Sequence, residues 1–125
     1  MPKPHVLVID DSATVRYLFA EIIENYDVRL TEAASAEDGL RILSQDKVDL
    51  LFLDIHLPGL DGLELLRELR KTDKSHACKV VMISSDRDQA AVDLATSIGA
   101  DDYLPKHVSV GRILDMLQKH LGLKA

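Results

Sequence analysis

Hydrophobic and polar positions follow two alternating patterns along the chain. Short, mostly continuous apolar runs predict five strands, at residues 5–10, 28–33, 48–54, 79–84 and 101–104. After each run, apolar residues recur every three or four positions, which predicts five amphipathic helices. Strands that alternate with helices in this way indicate a mostly parallel sheet with helices on both faces. The continuous apolar runs agree, because strands of such a sheet are buried on both sides.

Local capping signals mark where several helices begin. Ser35 is suited to cap the second helix through its hydroxyl. Asp61, with Glu64 three residues later, forms a capping-box pattern at the start of the third helix. Asp86 with Gln89 repeats this pattern before the fourth helix. These signals support the helical assignments independently of the apolar spacing.

The apolar faces of the third and fourth helices follow from the same spacing. The third helix is expected to bury Leu63, Leu66 and Leu69, and the fourth is an Ala-rich helix that includes Leu94 on its apolar face. The basic segment RELRKTDK (67–74) is interrupted by acidic residues. We therefore interpret it as a solvated helix end rather than a binding patch.

Composition and charge fit one globular domain and disfavour direct binding to nucleic acid. The chain has 125 residues, of which 46% are hydrophobic and 29% charged, with a formal net charge of -6. Binding to phosphate backbones requires clustered Lys and Arg, which this chain lacks. Cys78 is the single cysteine, which excludes an internal disulfide and fits a reducing cytoplasm. No apolar run approaches the ~18 residues of a membrane span, so we expect a cytoplasmic protein.

Several predicted strands end on polar side chains. Asp10, Asp54 and Ser84 each stand at the carboxyl end of an apolar run, where doubly wound sheets bind their ligands. Asp11 follows Asp10, and either Asp11 or Ser12 caps the first helix. Carboxylates that converge repel one another unless a cation or a proton is bound. A set of oxygen ligands favours Mg²⁺ or Mn²⁺ over zinc.

One lysine and one hydroxyl complete the expected site. Lys106 follows the fifth predicted strand in DYLPKHV, and Ser84 ends the fourth. Carboxylates with a divalent ion, one cation and one hydroxyl suit a phosphoryl group. The metal and the cation neutralise its oxygens while a carboxylate attacks phosphorus.

Four segments together resemble the receiver domains of two-component response regulators. They are VLVIDDS, LFLDIHLPGLDGLEL, VVMISS and GADDYLPK, and they occur in the order of that family over nearly the whole chain. The resemblance implies a flavodoxin-like, doubly wound α/β fold, like that of chemotaxis regulators. Its single sheet has five parallel strands in the order 2-1-3-4-5, with five helices. Residues 1–125 would then form one receiver domain.

The resemblance also implies a role for each acidic residue of the site. Asp54 would be the phosphoacceptor. Mg²⁺ (or Mn²⁺) would be held by Asp10, Asp11, Asp54 and the backbone carbonyl of His56. His56 and Asp86, each two residues beyond a site residue, would tune the rate of dephosphorylation.

The same family pattern assigns the groups that bind the phosphoryl group and respond to it. Lys106, the Ser84 hydroxyl and the Ser85 backbone would bind it, and Ser84 with Tyr103 would form the switch. The family usually has proline after its lysine, where this chain has His107. A non-proline cis bond costs roughly 2.5–4 kcal/mol, so we expect a trans bond between Lys106 and His107.

The function implied is that of a response regulator receiver. It would accept a phosphoryl group on Asp54 from a sensor histidine kinase or phosphotransfer protein. The face of helix 4, strand 5 and helix 5 would then control a downstream protein or output domain. Such a chain is not a conventional enzyme, although it catalyses its own phosphorylation and dephosphorylation. We expect neither nucleic acid nor membrane as a partner. Homodimerisation, and whether the receiver stands alone or belongs to a longer protein, stay open.

Other functions of this fold are less consistent with the residues. A flavodoxin-like electron carrier needs a hydroxyl- and glycine-rich phosphate loop after the first strand, where DDSAT places two negative charges that would repel the cofactor phosphate. A nicotinamide site needs the GxGxxG motif, which is absent. An aspartate-nucleophile phosphatase has a second acid where this chain has His56. The main alternative is a receiver-like binding module that works without phosphorylation, which the intact set of site residues disfavours.

Overall fold

Five strands alternate with five helices in the part of the chain that the structure describes, as the apolar pattern predicts. The computed structural model describes residues 3–73, 76–85, 89–106 and 109–123. The strands are β1 (His5–Ile9), β2 (Arg29–Ala33), β3 (Leu50–Asp54), β4 (Lys79–Ser84) and β5 (Asp102–Pro105). The helices are α1 (Ala13–Ile23), α2 (Ala36–Gln45), α3 (Gly62–Thr72), α4 (Gln89–Ile98) and α5 (Val110–Leu121).

The strands form one parallel sheet in the order β2-β1-β3-β4-β5, which confirms the expected topology. The chain runs outward from β1 to β2 and then crosses back to β3, so strand order reverses between β1 and β3. Ile9 pairs with Leu53 across this boundary. The residues that follow this pair, Asp10 and Asp54, therefore emerge side by side at the carboxyl edge of the sheet.

Two apolar layers cover the sheet and explain why the central strands are continuously apolar. Side chains of β1, β3 and β4 alternate between the layers, and both layers are closed to solvent. One layer packs under α1 and α5, where the rings of Phe19 and Phe52 lie 4.9 Å apart. The other packs under α2, α3 and α4. None of the described helices has the length and apolarity needed to cross a membrane.

Two of the predicted helix caps are confirmed. The Ser35 side chain accepts a hydrogen bond from the backbone of Asp38 at the start of α2. Asp61 and Glu64 form a reciprocal capping box at the start of α3. These bonds use backbone donors that a helix leaves without intrahelical partners. The cap predicted at Asp86 lies outside the described residues.

The buried faces of α3 and α4 differ from those assigned by spacing. Leu65 is fully buried, whereas Leu63, which we expected to be inward, is only partly buried. On α4, the inward residues are Val92 and Ala95, and Leu94 is 42% exposed. Apolar residues spaced three or four positions apart are compatible with more than one face of a helix. Packing against the sheet decides which of these faces is buried.

Arg70 corrects the expectation that the basic segment is wholly solvated, because its side chain is buried. Its Nε donates to the carbonyl of Gly99 at 2.9 Å, and its Nη1 to the carbonyl of Cys78 at 3.0 Å. The guanidinium also pairs with the carboxylates of Asp73 and Asp101, at 3.1 and 2.9 Å. These bonds supply the partners that a buried cation requires. They join the end of α3 to β4 and to the connection between α4 and β5.

Gly62 allows α3 to begin directly against the end of β3. Its backbone N–H donates to the carbonyl of Ile55 at 3.0 Å. A side chain at this position would collide with the backbone carbonyl of Asp54. The absence of a Cβ therefore holds the helix close to the strand that carries Asp54.

We expect Gly62→Ala to destabilise the protein by roughly 1–3 kcal/mol, because the added methyl group must displace the helix from β3. Gly111→Ala is the matched control, since the nearest atom to its Cβ would be the Ser109 hydroxyl at 4.0 Å. This control should gain roughly 0.5–1 kcal/mol, as alanine favours a helix more than glycine does. Urea unfolding measures both. A Gly62→Ala protein as stable as the wild type would contradict the close approach.

Candidate functional site

Carboxylates from two neighbouring strand ends converge at the carboxyl edge of the sheet. Oxygen atoms of Asp10, Asp11 and Asp54 all lie within 4.8 Å of one another. Asp10 and Asp54 are fully buried, and Asp11 is exposed. The cluster of three carboxylates that the sequence predicted at the ends of two strands is therefore present.

Backbone donors hold one oxygen of each buried carboxylate. The Ser12 N–H donates to Asp10 Oδ1 at 2.8 Å, and the His56 N–H donates to Asp54 Oδ1 at 3.1 Å. Ser12 also caps α1, because its hydroxyl accepts from the N–H of Val15. This settles the open choice between Asp11 and Ser12, and the Asp11 carboxylate is not required as the cap.

Lys106 supplies the positive charge of the site. Its Nζ lies 2.9 Å from Asp54 Oδ2 and 3.9 Å from Asp10 Oδ1. Its backbone N–H donates to the carbonyl of Ser84 at 2.7 Å, which anchors the residue beyond β5. Burial opposes the charge of Lys106, but pairing with Asp54 outweighs it and raises the pKa of Lys106. The expected trans bond to His107 lies outside the described residues.

The raised pKa of Asp10 shows that Lys106 alone does not compensate the negative charge of the cluster. The pKa of Asp10 is raised from 3.8 to about 6. Burial is the largest cause and the charge of Asp54 adds to it, whereas the hydrogen bond from the Ser12 N–H lowers the pKa. Asp10 Oδ2 is buried and has no hydrogen-bond partner among the described residues. Oxygen ligands with an excess of negative charge and one unused buried oxygen fit a hard divalent cation such as Mg²⁺.

The remaining predicted residues lie around this cluster. Ser84 is buried at the end of β4, and its hydroxyl donates to the carbonyl of Ser85 at 2.9 Å. His56 is exposed immediately beyond Asp54. Tyr103 is partly buried on β5 and packs against the apolar layer under α4. Asp86, predicted to tune dephosphorylation, lies outside the described residues.

Arg16 is a residue of this region that the sequence did not indicate. Its Nη1 donates to the backbone carbonyl of Asp10 at 2.6 Å, and its Nε lies 3.4 Å from Glu32 Oε1. The available signal was its position on α1, one helical turn beyond the Ser12 cap. That signal is weak, because an arginine on a first helical turn is usually exposed.

Sequence comparisons agree with the fold. A family described as "Response regulator receiver domain" matches residues 6–118. The transcriptional regulatory protein AfsQ1 of Streptomyces coelicolor is 37% identical over 112 residues, which cover 90% of this chain and 48% of that protein. The sporulation initiation phosphotransferase F of Bacillus subtilis is 26% identical over 125 residues, covering 100% of this chain and 99% of that protein. The chain thus spans about half of AfsQ1 and nearly all of phosphotransferase F.

Solved structures give the same result. The receiver domain of NtrX from Brucella abortus has a TM-score of 0.86 and 31% identity, covering 95% of this chain and 99% of that one. A CheY-like response regulator receiver domain protein from Methanospirillum hungatei has a TM-score of 0.88 and 25% identity, covering 96% of this chain and 94% of that one. Fold and sequence therefore point to one family.

Asp10 should make the stability of the metal-free protein depend on pH. Because its pKa is raised from 3.8 to about 6 in the folded chain, the folded state binds this proton more tightly than the unfolded state. The free energy of unfolding should therefore fall as pH rises from ~4 through ~6, by roughly 3 kcal/mol, and then level off. Asp10→Asn should be more stable than the wild type above this window, and the difference should disappear towards ~pH 4.

Urea unfolding in the presence of a metal chelator, across this pH range, measures the effect. Asp115→Asn, at an exposed position on α5, is the matched control and should follow the wild-type pH profile. Parallel profiles for the wild type and Asp10→Asn would show that the raised pKa of Asp10 is wrong.

Proposed function

The chain belongs to the response regulator receiver domain family of two-component systems, and from this premise we propose that Asp54 is its phosphoacceptor. A receiver domain is part of a signalling protein rather than a conventional enzyme. The observation that carries the proposal is the buried Asp54 carboxylate, paired with Lys106 at 2.9 Å and flanked by two more carboxylates. Residues 1–125 would act as one receiver.

The acidic cluster would hold Mg²⁺ (or Mn²⁺) through Asp10, Asp11, Asp54 and the backbone carbonyl of His56. When bound, the ion supplies positive charge that neutralises the oxygens of the incoming phosphoryl group. The support for this assignment is the set of oxygen donors and the unused buried Asp10 Oδ2. Metal binding should also lower the pKa of Asp10, which burial and, to a smaller extent, the charge of Asp54 raise in the metal-free protein.

In the proposed reaction, an oxygen of Asp54 forms a bond to phosphorus. The bond between phosphorus and the donor atom breaks, and its electron pair leaves with the donor. The product is an acyl phosphate on Asp54. Lys106 exchanges its pairing with Asp54 for pairing with the phosphoryl oxygens, and the Ser85 backbone would add a further contact. Catalysis then consists mainly of positioning and charge neutralisation.

The same phosphoryl oxygens would drive the conformational change. The Ser84 hydroxyl, which donates to the Ser85 carbonyl, would turn towards these stronger acceptors. This movement would vacate space that the partly buried Tyr103 could fill. The α4, β5 and α5 face would respond, because α4 buries only Val92 and Ala95 among its described residues. To shift a population from 1:99 to 99:1, phosphorylation must favour the active form by about 5.5 kcal/mol.

The partners of this cycle follow from the reaction. The phosphoryl group would come from a sensor histidine kinase or a phosphotransfer protein, and the changed face would act on a downstream protein or an output domain. The names of two relatives fit such roles: AfsQ1 is a transcriptional regulatory protein, and the Bacillus relative is a phosphotransferase. Whether phosphorylation also leads to homodimerisation stays open.

Incubation with a small phosphodonor and Mg²⁺ tests the phosphoacceptor directly. We expect the intact mass of the wild type to rise by one phosphoryl group, and neither Asp54→Asn nor chelated wild type to gain mass. Asp115→Asn, on the exposed face of α5, is the matched control and should be phosphorylated normally. A wild type that gains no mass would favour the phosphorylation-independent binding module.

His56 should influence how long the phosphorylated state lasts. Its side chain is exposed and its backbone N–H bonds to Asp54, so we propose that the imidazole obstructs a water molecule that approaches the acyl phosphate. We expect His56→Ala to lose the phosphoryl group several times faster than the wild type, with a change in unfolding free energy of about 0.5 kcal/mol or less. Intact mass over time measures the loss, with Gln118→Ala, another exposed position, as control. Equal lifetimes in the wild type and His56→Ala would refute this role.

A further inference from the structure

Arg16 connects α1 to the strand end that carries two of the three carboxylates. Its Nη1 donates to the backbone carbonyl of Asp10 at 2.6 Å, and its Nε lies 3.4 Å from Glu32 Oε1 at the end of β2. The Arg16 side chain is 19% exposed and Asp10 is fully buried, so the bond between them lies largely out of solvent, whereas the Glu32 side chain is 40% exposed. From this geometry we propose that Arg16 is a positioning residue that orients Asp10 and Asp11 for the divalent cation. The inference rests on the proposed function of the site.

Together with two other hydrogen bonds, the bond from Arg16 holds the backbone and the carboxylate of Asp10 in place. The N–H of Asp10 donates to the carbonyl of Ala33 at 3.1 Å, and its Oδ1 accepts from the N–H of Ser12 at 2.8 Å. Arg16 holds the remaining backbone group, the carbonyl. That carbonyl belongs to the peptide unit that leads into Asp11, so its orientation sets the direction in which the Asp11 side chain leaves the backbone. By holding this planar peptide unit, Arg16 influences the orientation of both Asp10 and Asp11.

An arginine suits this task better than a lysine. The guanidinium presents several N–H groups in a fixed fork, so it can contact the Asp10 carbonyl and the Glu32 carboxylate at the same time. A charged donor at 2.6 Å also makes a stronger bond than a neutral donor would. Glu32 lies on β2, where it pairs with Val8 of β1. Its carboxylate therefore contacts the guanidinium of Arg16 from the β2 side. A lysine ammonium would keep the charge but lose this fork.

Metal binding by the full chain tests the role, with Mg²⁺ alone as the ligand in isothermal titration calorimetry. Because groups that orient metal ligands usually contribute 10–100-fold to affinity, we expect Arg16→Met to weaken Mg²⁺ binding by about that factor. Arg16→Lys should recover part of the loss. Glu32→Gln should weaken binding less, because the bond between Arg16 and Asp10 persists. Arg41→Met, which removes an exposed arginine of α2, is the matched control and should bind as the wild type does.

The dependence of phosphorylation on Mg²⁺ separates positioning from a general loss of structure. If Arg16 orients metal ligands, Arg16→Met should need more Mg²⁺ for half-maximal phosphorylation while its rate at saturating Mg²⁺ stays close to the wild-type rate. A purely structural role would lower the free energy of unfolding and leave the Mg²⁺ affinity of the folded protein unchanged. Glu32→Gln supplies the same comparison if Arg16→Met does not fold.

The outcomes distinguish this inference from the function on which it rests. Unchanged Mg²⁺ affinity in folded Arg16→Met and Glu32→Gln, beside a wild type that binds Mg²⁺ and is phosphorylated, would overturn the role of Arg16 alone. A wild type that binds no Mg²⁺ would overturn the proposed function and this inference together. Weaker binding by Arg16→Met with normal binding by Arg41→Met would support both.

Discussion

The burial of Asp10 and Asp54 at adjacent strand ends is the constraint on which the site depends. Two unit charges about 4 Å apart repel by about 4 kcal/mol at an effective dielectric of ~20. The fold compensates part of this repulsion with Lys106, 2.9 Å from Asp54, and with backbone N–H donors to both carboxylates. The pKa of Asp10 nevertheless stays raised, at about 6, because burial continues to oppose its charge. The folded chain therefore carries an excess of negative charge that a cation or a proton would relieve.

The surrounding structure limits how far this strained cluster can relax. Gly62 brings α3 against the carbonyl of Asp54, and Arg16 holds the carbonyl of Asp10 from the other side. With the backbone held on both sides, the two strand ends that carry these carboxylates stay next to each other. We infer that their repulsion is retained for binding a metal and a phosphoryl group. In sites of this kind, preorganised charge contributes much of the rate enhancement.

Different parts of the sheet are held with unequal strength, which fits a signalling role. At the amino end of β4, Arg70 joins α3, β4 and the segment before β5 through four contacts at 2.9–3.1 Å. Near the site, α4 buries two side chains among its described residues, and Leu94 is exposed. A helix with shallow packing can move at a small free-energy cost, whereas the Arg70 contacts keep the opposite edge in place. The proposed switch needs both properties.

The sequence by itself determined the elements, the caps at Ser35 and Asp61, and the placement of acidic residues at strand ends. Local spacing and short-range hydrogen bonds decide these features, so they can be read along the chain. Its resemblance to a family supplied the strand order and the roles of the site residues. Only the tertiary structure decided that Leu65 rather than Leu63 is inward, that Arg70 is buried, that Arg16 reaches Asp10, and that Lys106 lies against Asp54. The physical reason is that these features depend on how the elements pack against one another. One of the two carboxylates that Arg70 binds, for example, is 31 residues away along the chain, and no local pattern encodes such a contact.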